Sequence, residues 1–204
     1  MDYQPFTAGN AAMLLIDYQT GTMQLIRNRS RDQVHRNGVL LARLAAGLHL
    51  PAVLTSSLED QFQGPLLPEL KEVLPAEYAR RSQRLGVVDA LDDPGFAAAV
   101  EATGRRNLII AGVTTDVCLI HPAVRAVAGG YEVQVVVDAS GSNTAISEQI
   151  ALQTMLHAGV RLTTMPQLMS ELAGDWTSPT GTAVMDLLNS GWQALVADES
   201  FAYQ

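Results

Sequence analysis

The chain is poor in the residues that would staple or decorate a small fold. It has one cysteine, Cys118, one lysine, Lys71, and only 5% aromatic residues in 204. One cysteine permits neither an internal disulfide nor a cysteine-rich zinc cluster. A chain of this length buries enough surface to need neither. Lys and Arg together number 13 against 21 Asp and Glu, a formal net charge of −8. That balance argues against nucleic acid or an anionic membrane as a partner. The basic stretch at Arg27, Arg29, Arg31 and Arg36 is interrupted by Asp32 and reads as a solvated helix entry. No apolar run approaches the roughly 18 residues of a membrane span. Met1 to Phe6 lacks the basic and apolar regions of a secretory signal, so a cytoplasmic location is expected.

Several catalytic motifs are missing as well. No Gly-x-Gly-x-x-Gly follows the first apolar run, and there is no Walker-type loop, no His-Glu-x-x-His and no Gly-x-Ser-x-Gly. The four histidines, at 35, 49, 121 and 157, are scattered. A nicotinamide or flavin dinucleotide, a zinc-dependent protease centre and a serine nucleophile elbow all lose their usual anchors. No cofactor and no metal are expected.

What is present is alternation. Ala11–Ile16 is a buried-strand run that stops at Asp17, and Pro51–Thr55 is a second, followed by Ser56 and Ser57. Further strands are expected at 107–111, 132–137 and 160–164. Helices are expected at 33–48 with Asp32 as cap, near 68–74, from the Asp92-Asp93-Pro94 cap to about Thr103, and at 118–128, 144–158 and from Pro166. Strands alternating with helices imply an α/β fold with a mostly parallel sheet covered on both faces. One domain over residues 1–204 is expected, with a helical tail from about 175. The tail carries Val184, Leu187, Leu188 and Leu195 on one side, and its Trp192 and Phe201 suggest an interface between subunits of a homo-oligomer.

In open parallel sheets, ligands bind beyond the carboxyl ends of the strands. Asp17, Thr55-Ser56-Ser57, Thr114 to Cys118, and Asp138 gather there. A lone cysteine is often a small buried hydrophobe. At a strand-to-helix junction, however, the helix dipole lowers a thiol pKa, and backbone N–H groups stand ready for an oxyanion. Asp17, directly after a buried strand, either caps the next turn or serves as a partly desolvated base for that thiol.

Leu14-Leu-Ile-Asp17-Tyr-Gln, Thr55-Ser-Ser, Gly64-Pro-Leu-Leu-Pro-Glu-Leu70, Asn107-Leu-Ile-Ile-Ala-Gly-Val-Thr-Thr-Asp-Val-Cys118 and Gly130 to Gly141 occur in that order over residues 11 to about 172. Together they resemble the isochorismatase-like, or cysteine hydrolase, superfamily, and within it the YcaC-like branch. The resemblance implies a three-layer α/β/α fold of Rossmann-like topology. It implies Asp17 as general base, Cys118 as nucleophile, a cis peptide between Val113 and Thr114, and an oxyanion hole from the N–H groups of Thr114 and Cys118. Gln19, Thr55 and Thr115 fall at the substrate pocket. The family's third member, usually Lys, is matched by Arg84, with Arg80 and Arg81 as alternatives; arginine stays protonated and holds charge without shuttling a proton. The Asp-x-His metal cluster of the family's nicotinamidases is replaced by Thr55-Ser-Ser-Leu-Glu-Asp60. A nucleophilic cysteine argues for C–N bond hydrolysis on a small amide or carbamoyl-type substrate. The rival expectation is a non-catalytic or redox-responsive oligomer that keeps the hydrolase fold.

Overall fold

The computed structural model describes residues 4–196, with side chains to residue 189. Six strands form one sheet: β1 (Ala11–Ile16), β2 (Ala52–Ser57), β3 (Ser82–Arg84), β4 (Asn107–Gly112), β5 (Glu132–Val136) and β6 (Arg161–Thr163). Their order is β3-β2-β1-β4-β5-β6, and every neighbouring pair is parallel. The eight helices among the described residues are α1 (Arg31–Gly47), α2 (Pro68–Val73), α3 (Pro75–Ala79), α4 (Pro94–Ala102), α5 (Ile120–Ala128), α6 (Ala145–His157), α7 (Met165–Ala173) and α8 (Pro179–Val196).

The period-2 alternation of a strand divides the core into two layers. Ala11, Met13 and Leu15 of β1 join Leu41 and Leu44 of α1 and Leu168 and Leu172 of α7 on one face. Ala12, Leu14 and Ile16 join Phe96 and Val100 of α4, Ala123 of α5 and Met155 of α6 on the other. All six residues of β1 are buried, which is why its sequence is a continuous apolar run rather than an alternating one. Val184 of α8 is buried in the first layer; the side chains of Trp192 and Leu195, and all of Phe201, lie outside the described residues.

The strand order reverses between β1 and β4, so their carboxyl ends open the crevice where such sheets bind ligands. Gly112 makes the approach possible. A Cβ there would stand 2.9 Å from both the Cβ and the carbonyl oxygen of Ile16.

The structure departs from the sequence expectations at identifiable points. Helix α1 begins two residues earlier, because Ser30 rather than Asp32 is the cap and accepts from the Gln33 N–H at 3.3 Å. β2 runs on through Ser57, because its last residues pair with a strand that the sequence did not suggest. That strand, β3, is three residues long and polar, so neither length nor periodicity marks it. The stretch after β4 forms a π-helical turn, Thr115–Leu119, before α5 begins at Ile120.

Candidate active site

Asp17 leaves β1 in the left-handed region, at φ 55°. A non-glycine residue there is strained by an amount on the order of 1–2 kcal/mol, less for Asp than for most. The backbone holds it in place: its N–H donates to Thr55 O at 3.0 Å, and its carbonyl accepts from the Gln19 N–H at 2.7 Å. The result turns the Asp17 carboxylate into the crevice, where the residue is 1% exposed.

Arg84, at the end of β3, is equally buried and meets that carboxylate with Nη2. Its Nε donates to the Thr55 hydroxyl at 3.0 Å, and its Nη1 donates to the carbonyls of Val87 and Val88 at 2.5 and 3.1 Å. The Thr55 hydroxyl in turn donates to Ser82 O at 2.9 Å. Every nitrogen of the guanidinium is therefore engaged. Arg84 is a fixed counter-charge for Asp17 and the knot that ties the strand end to residues 87 and 88. The two alternatives are occupied elsewhere. Arg81 grips both carboxylate oxygens of Glu59, which also accepts from Ser56 and Gln83, and Arg80 pairs with Glu77.

Beyond β4, the Val113–Thr114 peptide bond is cis. The π-helical turn that follows gathers the N–H groups of Val117, Cys118 and Leu119 onto one acceptor, Thr114 O, at 3.4, 3.0 and 3.1 Å. Cys118 is partly exposed, and its thiol is near enough to the Asp17 carboxylate for each to shift the other's ionisation. Asp17, Arg84 and Cys118 thus stand together, contributed by three separate strand ends.

Burial raises the Asp17 carboxyl above the usual range, and Arg84 opposes that rise. The Cys118 thiol is pushed up strongly by burial, then by the charge of Asp17. Burial and Asp17 both favour the protonated thiol. This overturns the expectation that the helix end would lower its pKa. Cys118 is the fourth residue of the π-helical turn rather than a residue ahead of free N–H groups, and its nearest charge is negative.

Hydrogen bonding shows how three further residues named from the sequence are held. Gln19 is fully buried with both polar atoms committed. Its Nε2 donates to Ser57 O and Gly64 O, and its Oε1 accepts from the Ser57 N–H, so it staples the loop after β2. Thr55 spends its hydroxyl on Arg84 and Ser82, which makes it a support for the site. The Cys118 N–H, expected in the oxyanion hole, is spent on Thr114 O, whereas the Thr114 N–H donates to no described residue. Thr115 is fully buried, its N–H bonded to Gly141 O and its hydroxyl without a partner. The carbonyls of Val87 and Val88 were invisible to sequence reading, because any residue supplies such an acceptor.

Among the described residues, no three His, Cys, Asp or Glu side chains converge as a metal site. No described helix is long and apolar enough to cross a membrane. A cavity of about 440 Å³ lined by Gln134, Thr163, Ser170 and Glu171, among others, lies at the β6 edge and contains none of the residues above.

Comparison with known proteins assigns the family. The Isochorismatase domain family matches residues 11–167. The probable hydrolase YcaC of Escherichia coli strain K12 is 40% identical over 175 residues, covering 85% of this chain and 83% of its own. Two solved structures superpose over the full length of both chains with a TM-score of 0.88. One is YcaC from Pseudomonas aeruginosa with hexane-2,5-diol and covalent acrylamide, at 36% identity. The other is the Escherichia coli ycaC gene product, an octameric hydrolase of unknown specificity, at 35%. A family match spanning most of the chain, joined to full-length likeness to these structures, places the protein in the isochorismatase family of hydrolases, where it is YcaC-like.

Proposed function

We propose that the protein is a metal-independent cysteine hydrolase that cleaves the C–N bond of a small amide or carbamoyl-type substrate through a thioester. The observation that carries this reading is the buried Asp17–Arg84 ion pair at the strand ends with the Cys118 thiol beside its carboxylate. A protonated thiol needs its base in contact, because the sulfur becomes nucleophilic only as the proton leaves.

In the first half-reaction Asp17 takes the thiol proton while sulfur bonds to the substrate carbonyl carbon. The oxygen gains the displaced electron pair, and the Thr114 N–H is the open donor for it, with the Cys118 N–H available once it leaves Thr114 O. Collapse breaks the C–N bond, and Asp17 returns its proton to the departing nitrogen, so ammonia or an amine leaves. In the second half-reaction water gives a proton to Asp17 and its oxygen to the acyl carbon. The C–S bond then breaks, and the proton goes back to sulfur. Arg84 stays charged throughout and keeps Asp17 ionised between proton transfers.

The relative with covalent acrylamide supports the choice of substrate class, since acrylamide is both a small primary amide and a thiol-reactive electrophile. The octameric relative supports a homo-oligomer here. A panel of small primary amides and ureido compounds, assayed for ammonia release with Cys118→Ala as blank, tests the reading. Release from at least one compound that vanishes in Cys118→Ala supports it, and no release from any member refutes it.

The rival reading, a non-catalytic oligomer, draws on Arg84, whose saturated guanidinium cannot relay a proton. It requires that no amide turns over.

A further inference from the structure

The charges at the site cancel before a substrate arrives. Asp17 and Arg84 neutralise one another, and no guanidinium nitrogen is left over for a ligand carboxylate. Charged residues on the neighbouring segments form pairs of their own: Glu59 with Arg81, and Asp89 and Asp92 with Arg125. The one carboxylate in the turn that carries Cys118 is Asp116, which adds negative charge two residues from the thiol. Around the same point the chain presents apolar side chains to solvent. Val87 and Val88 are 41% and 53% exposed, although their carbonyls are bound to the guanidinium that holds Asp17. Val117, next to the nucleophile, is 46% exposed.

Resting on the hydrolase reading, we infer that the substrate is an uncharged aliphatic amide, with Val87 and Val88 as the residues that select its acyl chain. An anionic group entering here finds the Arg84 guanidinium already spent on Asp17, Thr55, Val87 and Val88. A charged group of either sign loses water against valine side chains, which give nothing back. An alkyl chain gains by covering the same valines. Arg84 sets the position of that wall, since both of its carbonyl anchors belong to these residues.

Binding is read without turnover by measuring how well an amide protects Cys118 from iodoacetamide in the intact assembled protein, at high salt to screen the net charge. Three probes of similar length differ at one end: pentanamide, succinamate and 4-aminobutanamide. Pentanamide is expected to give half-protection at a concentration at least tenfold below that of either charged probe. That advantage should fall to threefold or less in a Val87→Ser, Val88→Ser double variant. Equal or better protection by succinamate or 4-aminobutanamide overturns the inference. So does failure of pentanamide to protect, or an undiminished advantage in the double variant. Protection without hydrolysis would leave this ligand class standing and sink the hydrolase reading, whereas hydrolysis with a preference for charged amides would do the reverse.

Discussion

Replacing Arg84 by lysine restores the residue type usual in the family, yet the structure says that it should cost stability. An ammonium at the end of a lysine chain can keep the contact with Asp17. It cannot also reach Thr55 Oγ1, Val87 O and Val88 O, which diverge around the planar guanidinium. The lost Nε bond to Thr55 is buried and charge-assisted, a class that contributes about 1.5–3 kcal/mol. The two carbonyls belong to exposed residues that water can reach, and together they add roughly 1 kcal/mol or less. The sum is about 2–4 kcal/mol, or a fall in melting temperature of roughly 5–15 °C for a chain of this size. Arg84→Ala should melt lower still, because it leaves Asp17 buried without a cation, at about 3–5 kcal/mol. The assay is an apparent melting temperature at one protein concentration and scan rate, since the assembly state contributes to it. Arg84→Lys should also retain measurable turnover, and Arg84→Ala should not. A melting temperature for Arg84→Lys within about 2 °C of wild type would show that the fan of bonds around the guanidinium carries no weight.

The remaining outcomes concern the thiol and its base. The productive form has Asp17 ionised, so kcat/KM should fall as pH drops through its raised pKa, along a limb above the ~3.9 of an ordinary aspartate. A limb at or below that value contradicts the burial argument. Because the thiol is pushed up, no thiol-ionisation limb should appear near the ~8.5 of a free cysteine. Asp17→Asn should lower ammonia release at least a hundredfold, about the contribution of a positioned general base, even though losing the carboxylate removes a negative charge that pushes the thiol up; wild-type turnover in Asp17→Asn would mean that Asp17 is not the base. Prolonged EDTA treatment should leave turnover unchanged, and loss reversed by zinc or manganese would overturn the metal-free assignment.

The central strands were legible because burial on both faces writes itself as unbroken apolar runs, as in Ala11–Ile16 and Leu108–Ala111. Asp17 and Cys118 were legible because each follows such a run. Arg84 came from the resemblance, against two neighbouring arginines, and only the structure shows that Arg81 and Arg80 are held by Glu59 and Glu77. β3 was not legible, since Ser-Gln-Arg has no apolar face and owes its strand form to pairing with β2. The supporting roles of Thr55 and Gln19 were hidden for a similar reason. A polar residue near a site looks the same in sequence whether it binds a ligand or the backbone. The direction of the thiol shift depended on a π-helical turn that places Cys118 against Asp17, and neither composition nor periodicity encodes that.

The most direct measurement is intact-mass analysis of the protein mixed rapidly with a primary amide that it turns over, with ammonia followed in parallel. The mechanism requires an adduct equal in mass to the amide less ammonia, located at Cys118, formed and lost at rates that account for turnover, and absent in Cys118→Ala together with the ammonia. Ammonia release that persists in Cys118→Ala, or that proceeds with no such adduct on Cys118 under conditions that accumulate the acyl-enzyme, would contradict it.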